Sequence, residues 1–171
     1  MRSPVRDMTR HALMTALICV TAPLQIPLGA VPLTLQTFVI TLSGAMLGAK
    51  RGCASAIAYV LLGAVGLPVF TGFSGGLGAL LGPTGGFLIG FPLFAAFCGM
   101  LRGRPMPLQI LCGVFGLLLM DAIGTLHLMN VADMGLSAAL IAGVWPFLAK
   151  DIACVALGCI AARKISARLR I

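Results

Sequence analysis

The chain has little of the charge that a water-soluble protein carries on its surface. Only 9% of its 171 residues are charged, and only four of these are acidic. Soluble domains are about one quarter charged. No linker, charge run or low-complexity tail is long enough to form a soluble domain beside the apolar segments. Water is therefore not the main solvent of this chain.

The sequence also lacks several signatures of catalysis and metal binding. Its six cysteines fall inside apolar segments and none forms a C-x-x-C pair, so we expect packing residues and no metal site. No lysine follows the glycines of segment 72–86, so this is not a P-loop and gives no means of hydrolysing ATP. The net charge of +8 does not indicate nucleic-acid binding, because the cations punctuate apolar runs. No cofactor is implied.

What the sequence does contain is enough apolar residues for several membrane spans. It is 60% hydrophobic, with a mean hydropathy of +1.09, and a bilayer core needs about 20 mostly apolar residues per helix. We therefore predict an all-α polytopic membrane protein, a six-helix bundle forming a single integral membrane domain over 1–171, with lipid as its surroundings. Apolar runs between breakers place the helices near 10–26, 34–49, 52–67, 83–101, 107–130 and 136–162.

The basic start followed by an apolar stretch resembles a signal peptide. No convincing small-x-small cleavage site separates it from the rest, and further spans follow, so we keep it as the first helix.

The basic residues occupy every second junction between the predicted helices. Lys and Arg are enriched on the cytoplasmic side of membrane proteins, so this pattern predicts that both termini lie in the cytoplasm. Eleven of the twelve cations fit it: Arg2, Arg6, Arg10, Lys50, Arg51, Arg102, Arg104, Arg163, Lys164, Arg168 and Arg170. The twelfth, Lys150, lies inside the sixth helix, about 20 Å from its basic end.

Three charged residues inside predicted spans are the leading candidates for a binding site. A charge at the centre of a span costs at least about 2.5–3.5 kcal/mol, so such residues usually face the bundle interior and mark a site. Lys150, Asp151 and Asp121 are placed in this way. The alternative is a purely structural Lys150–Asp121 ion pair that locks helices 5 and 6 together. We expect Lys150 and Asp151 to point in different directions, since neighbours lie about 100° apart on a helix.

Two further segments are expected at the outer end of the bundle, where three helix N-termini point outward and favour a small carboxylate. In segment 72–86, Pro83 is expected in the first turn of helix 4, where backbone N–H groups near Thr84, Gly85 and Gly86 are available to an anion. The alternative is a tight connection that only lets helices 3 and 4 pack. Thr34, Gln36 and Thr37 supply donors and acceptors for a ligand or for capping helix 2.

Three ordered segments resemble a known family. They are VPLTLQT at 31–37, GAVGLPVF at 63–70 and GGLGALLGPTGGF at 75–87, and they are similar to the BioY family, the biotin-binding S components of energy-coupling-factor transporters. The resemblance implies a six-helix bundle that binds biotin near the extracellular side. It also implies delivery by a shared energising module, which consists of a transmembrane T component and two ABC-type ATPases.

The resemblance also implies roles for particular residues. Ala12 and Ala16 form a small-residue stripe that spacing alone assigns to internal packing, and the family uses such a stripe to dock the T component. PFLAKD at 146–151 matches the family pattern Pro-Phe-Leu-x-x-Asp, which makes Asp151 a ligand-binding acid. Many members have a lysine three residues after that acid, where this chain has Cys154, and Lys150 is the replacement.

Biotin suits the chemistry of these residues. Its ureido group matches Asp151 and Gln36, and its carboxylate matches Lys150 or the N-terminus of helix 4. Its thioether ring and alkyl chain match three aromatic residues: Tyr59, Phe70 and Phe87.

The competing interpretation is an enzyme. The segment GFSG at 72–75 reads as the G-x-S-G of rhomboid-type intramembrane serine proteases, with Ser74 as nucleophile and His127 as its base. The serine falls in a predicted outer connection, and the histidine lacks the glycine-rich helix of that family. We therefore expect no catalytic residues.

Overall fold

A computed structural model describes residues 4–26 and 31–169 of the chain. Arg2 and Arg170, assigned above to basic junctions, lie outside these residues. The described part is mostly helical, and two short antiparallel strands of two residues each form a hairpin after the first helix. The elements are α1 (Pro4–Thr21), β1 (Gln25–Ile26), β2 (Leu33–Thr34), α2 (Gln36–Leu47), α3 (Ala49–Ala64), α4 (Leu77–Leu81), α5 (Gly85–Met100), α6 (Met106–Ala132), α7 (Leu136–Gly143) and α8 (Trp145–Leu169).

The first helix begins and ends earlier than the predicted range 10–26. It starts at Pro4, because proline is well suited to the first turn of a helix, where its missing N–H is not needed. It ends at Thr21, because Pro23 disfavours helical backbone in the residue before it. The basic residues Arg6 and Arg10 therefore belong to the helix itself.

The predicted sixth helix, near 136–162, is wrong as a single element. The structure divides it into α7 and α8 at Val144, whose backbone is not helical (φ −124°, ψ −58°). Pro146 explains the division, because a proline ring would clash with the carbonyl one turn earlier if the helix continued. The break places Pro146 in the first turn of α8, where it is tolerated.

Helices α2, α3 and α5 meet backbone to backbone. A Cβ at Gly52 of α3 would lie 2.6 Å from the Cα of Gly44 in α2, and one at Gly44 would lie 2.9 Å from the Cβ of Cys98 in α5. Only glycine permits this approach. The turn from α2 to α3 is Gly48 alone, whose φ of +88° favours glycine, so Lys50 lies in the first turn of α3 and not in a loop.

Polar contacts show which helix ends lie together. Arg51 at the start of α3 pairs with Asp7 in α1 at 2.6 Å, and Arg163 in α8 donates a hydrogen bond to the carbonyl of Arg104, between α5 and α6. We call this side of the bundle the basic end. The hairpin, α4 and α7 lie at the other side, which we call the loop end.

The outer surface of the bundle is apolar. Large hydrophobic side chains such as Leu111 (65% exposed) and Val65 (86% exposed) project outward from α6 and the end of α3. Soluble monomers rarely expose such continuous apolar surface. Within the described part, α6 and α8 are long and apolar enough to cross a membrane, while α2 and α5 are apolar but shorter. The surface suits lipid.

Candidate binding site

A cavity of about 60 Å³ lies inside the loop end, between the hairpin and helices α2, α5, α6 and α8. Its wall is mixed, with apolar and aromatic side chains beside a few charged and polar ones, as is usual for a small-molecule site. It is lined by Val31, Pro32, Thr34, Gln36, Thr37, Thr71, Thr84, Phe87, Leu88, Phe91, Met120, Asp121, Gly143, Phe147, Lys150 and Asp151. We refer to it as the loop-end pocket.

Lys150 and Asp151 form an ion pair inside this pocket. Lys150 Nζ lies 2.6 Å from Asp151 Oδ1 and donates a hydrogen bond to the main-chain carbonyl of Thr34 at 3.0 Å. The expectation that the two side chains point in different directions is therefore wrong. A lysine has a flexible four-carbon stem, so its ammonium group can reach around the helix to the neighbouring carboxylate.

Asp151 keeps unused capacity as an acceptor. Its side chain is 11% exposed, and Oδ1 has no aligned hydrogen-bond donor among the described residues, although the ammonium group of Lys150 is close to it. An ionised carboxylate has about four acceptor sites, and the ammonium group of Lys150 faces only one of its oxygens. The carboxylate is thus suited to accept an N–H from a molecule in the pocket.

Asp121 of α6 lines the same pocket and is 8% exposed. It makes no ion pair within 4.0 Å with any described residue, so the structural Lys150–Asp121 pair considered above is wrong. The pocket contains one ammonium group and two carboxyl groups. Such a set leaves acceptor capacity for a ligand with N–H donors.

Gln36 is held in position by two neighbours. Its Nε2 donates to the hydroxyl of Tyr59 at 2.9 Å, and its Oε1 accepts from the hydroxyl of Thr34 at 3.3 Å. Tyr59 is fully buried and packs edge-on against Phe70, with ring centroids 5.5 Å apart. Neither aromatic residue lines the pocket, so the structure places Tyr59 and Phe70 behind the site, where they support Gln36.

The glycine-rich segment contributes Thr84 and Phe87 to the pocket wall, but not Gly85 or Gly86. Helix α5 begins at Gly85, after Pro83, and the N–H of Gly85 already donates to the carbonyl of Gly82 at 3.0 Å. Both glycines pack closely: a Cβ would meet Leu80 at Gly85 and His127 at Gly86. Their role in the structure is packing.

Some pocket residues were absent from the sequence prediction. Phe91 follows Phe87 by one helical turn, so the same helix face carries both, and this spacing was an available signal. Gly143 and Phe147 flank the break at Val144 and reach the pocket because α7 and α8 are separate helices. No pattern in the sequence identified that break as part of a site.

Ser74 and His127 do not form a nucleophile–base pair. The hydroxyl of Ser74 donates to the carbonyl of Thr71 at 2.9 Å, and Nε2 of His127 lies 3.0 Å from the carbonyl of Gly82. Each side chain therefore contacts a main-chain carbonyl and not the other side chain. The arrangement gives no support to a serine protease.

Ala12 and Ala16 lie on the exposed side of α1, along an open groove between α1 and α3. The groove is apolar, and Ala54 and Ala58 of α3 form its opposite wall. Ser55 ties the two helices together beneath it, since His11 Nδ1 lies 3.2 Å from its hydroxyl and Thr15 donates to its carbonyl. We call this feature the α1–α3 groove.

The ion pair predicts a stability pattern. Lys150→Met leaves the carboxylates of Asp151 and Asp121 in the pocket without a cation, and removing one partner of a buried pair costs about 3–5 kcal/mol. We expect a melting temperature several degrees lower in detergent, and partial recovery in Lys150→Met/Asp151→Asn, which still contains Asp121. Lys50→Met, which removes an exposed lysine, is the matched control. A double variant no more stable than Lys150→Met would contradict the pairing.

Comparisons with known proteins show which family has this sequence and architecture. The BioY family model matches residues 1–171. The chain is 41% identical to the probable biotin transporter BioY of Pyrococcus horikoshii, covering 94% of this chain and 96% of the relative. It is also 41% identical to the biotin transporter BioY of Thermotoga maritima, covering 86% and 88%.

A solved structure is similar over nearly the whole fold. It is the crystal structure of the S-component for biotin from an ECF-type ABC transporter, with a TM-score of 0.89, 29% identity, and coverage of 98% of this chain and 95% of that one. Because the match extends over the full length in both sequence and fold, this chain belongs to the BioY family.

Proposed function

We propose that this chain is the biotin-binding S component of an energy-coupling-factor importer in a prokaryotic plasma membrane. It binds biotin in the loop-end pocket and delivers it to the cytoplasm with a membrane T component and two ATPases. The observation that carries the proposal is the cluster of one ammonium and two carboxyl groups enclosed in an apolar bundle of the BioY family. The names of the relatives support biotin as the ligand.

Binding requires the loop end to open. The cavity of about 60 Å³ is well below the 300–1,000 Å³ that is usual for ligand sites. We expect the hairpin to move, because a hydrogen bond from Lys150 to the carbonyl of Thr34 joins it to α8 and can break without unwinding a helix. An outward shift of the hairpin would enlarge the pocket without disturbing the close packing of α2, α3 and α5 at the basic end.

The ion pair decides which end of biotin faces α8. Lys150 and Asp151 lie 2.6 Å apart, so they cannot contact opposite ends of an extended ligand while they remain paired. We therefore assign both to the ureido group. Asp151 accepts a ureido N–H and Lys150 donates to the ureido carbonyl, which matches one acceptor and one donor side by side.

The other end of the ligand then lies toward α5. Phe87 and Phe91 provide an apolar surface for the thioether ring and alkyl chain. The carboxylate is left for the start of α5 next to Thr84, which lines the pocket, because the positive end of the helix favours an anion there even though the N–H of Gly85 is already bound to Gly82. Of the two carboxylate partners named from the sequence, the geometry favours the helix terminus over Lys150.

This orientation predicts equal effects on biotin and on biotin amide. Asp151→Asn replaces a charged acceptor by a neutral one, so we expect both ligands to bind at least about tenfold more weakly to the purified chain in detergent. Lys150→Gln should also weaken both ligands to a similar degree. Asp133→Asn, at the exposed end of α6, is the control and should change neither.

Two results would contradict the assignment. If Lys150→Gln weakens biotin but spares the amide, Lys150 holds the carboxylate and the ligand is reversed. If Asp151→Asn binds biotin as tightly as the unchanged chain, Asp151 is not in the site.

We propose six membrane crossings, with both termini in the cytoplasm. Helices α1, α2, α3, α5 and α6 make one crossing each, and α7 with α8 makes the sixth, while α4 stays at the outer surface. The contacts of Arg51 with Asp7 and of Arg163 with Arg104 support a single basic end, and the positive-inside rule assigns that end to the cytoplasm.

Cysteine labelling in intact cells tests the topology. In a background without the six native cysteines, Lys164→Cys at the basic end should resist an impermeant thiol reagent until the membrane is opened. Gly135→Cys, exposed between α6 and α7, should react from outside. Reaction of Lys164→Cys in intact cells would reverse the orientation.

We propose that the α1–α3 groove docks the T component. Ala12 and Ala16 leave the groove open along α1, so a helix of the partner can approach closely. The groove opens on the outside of the bundle, whereas the loop-end pocket is enclosed by other helices. Docking and ligand binding therefore use separate surfaces.

Bulky residues in the groove should separate the two activities. Ala12→Leu/Ala16→Leu should abolish uptake in cells while the affinity for biotin stays within about threefold, since the groove does not touch the pocket. Ala149→Leu/Ala153→Leu is the matched control, because it places the same change at the same spacing on an exposed face of α8. Normal uptake in the groove variant, or loss in both, would contradict docking at the groove.

A further inference from the structure

A second cavity, of about 170 Å³, lies at the basic end, between α2, α6, α8 and the turn from α5 to α6. Its polar lining consists of Arg102, Gly103, Gln109, Arg163 and Ser166, and two alanines complete the wall. It is on the opposite side of the bundle from the loop-end pocket and shares no residue with it. Ligand binding, as proposed above, leaves this cavity unexplained.

Among the described residues, the charged side chains that line this cavity are all cationic. Two arginines line it, and no aspartate is among the described residues that do. The hydrogen bond from Arg163 to the carbonyl of Arg104 holds one guanidinium at the rim. The first turn of α6 borders the cavity as well, and a helix N-terminus adds partial positive charge. The electrostatics therefore favour an anion.

Gln109 gives independent evidence for a ligand. Its side chain is 2% exposed and lines the cavity, yet its Oε1 has no hydrogen-bond partner among the described residues. An unsatisfied buried carbonyl costs free energy, so the natural occupant should supply a donor. The site thus calls for an anionic group with a hydroxyl next to it, which a simple anion such as chloride cannot provide.

We propose that this cavity binds the headgroup of an anionic glycerophospholipid, of the phosphatidylglycerol type. The phosphate lies between Arg102 and Arg163, and a headgroup hydroxyl donates to Gln109. Basic pockets between membrane helices on the cytoplasmic side bind such headgroups. The position agrees, because Arg163 lies about 20 Å along α8 from Lys150, which is about two thirds of the roughly 30 Å hydrocarbon core, and so lies toward one membrane face.

Lipid titration of the full-length chain in neutral detergent tests the proposal, with thermal stability and native mass spectrometry as readouts and without biotin. Phosphatidylglycerol should stabilise the chain more than phosphatidylcholine does. Arg102→Gln/Arg163→Gln should bind it about 25-fold more weakly, about fivefold for each arginine. The matched control Lys164→Gln/Arg168→Gln removes two cations at the same end that do not line the cavity, and should change binding far less.

A second variant separates the two parts of the headgroup and keeps the test valid if the arginine variant folds poorly. Gln109→Met should remove the preference for phosphatidylglycerol over phosphatidic acid, which has the phosphate but no headgroup hydroxyl.

Equal losses in the arginine and control variants would mean general charge attraction and overturn the site. Equal stabilisation by inorganic phosphate would mean a free-ion site and overturn the lipid. No lipid effect on the isolated chain would point to an acidic segment of a partner protein and also overturn it.

Discussion

A charged side chain in an apolar helix must find its partners inside the protein, and Lys150 shows how far this requirement organises the bundle. Its ammonium group joins a carboxylate of its own helix to the main chain of the hairpin. These contacts bring α8 and the hairpin to the same point, where α2, α5 and α6 supply much of the remaining wall. The pocket therefore lies where it does because the charge has to be satisfied there.

The two ends of the bundle are held together by different physical means. At the basic end, Gly44 and Gly52 let three helices approach at backbone distance, and the single residue Gly48 joins two of them. Packing of this kind has little freedom to move. At the loop end, short elements and individual hydrogen bonds close the pocket. A protein built in this way can admit a ligand at one end while its frame stays fixed at the other.

The sequence predicted the parts of the fold that follow from hydropathy and from breakers. The apolar runs located the long helices to within a few residues except at both ends of α1, at Val144 and at the end of α8, which runs on to Leu169 beyond the predicted end near 162. The effects of Pro4, Pro23 and Pro146 were not included at the first two places. The three charged residues in predicted spans, Asp121, Lys150 and Asp151, line one cavity, because a charge in an apolar span needs polar surroundings inside the bundle.

The detailed contacts could not be predicted in the same way. Lys150 and Asp151 are adjacent in sequence, and helix geometry alone separates them, whereas the flexible lysine stem brings them together. Tyr59 is aromatic and lies on a helix near the site, yet it contacts Gln36 from behind. Whether such a residue lines the pocket or lies behind it depends on how three helices pack together, and the order of residues in the sequence does not show this.

One feature of the hairpin bears on how such a protein can change over evolutionary time. Lys150 is bound by the main-chain carbonyl of Thr34, and every amino acid has that carbonyl. The side chain at position 34 can therefore be replaced without removing the contact that closes the pocket. A binding protein with this arrangement can change the residue at position 34, and with it the preference among related ligands, while it keeps the closing contact. If two side chains made that contact, a change at either position would remove it.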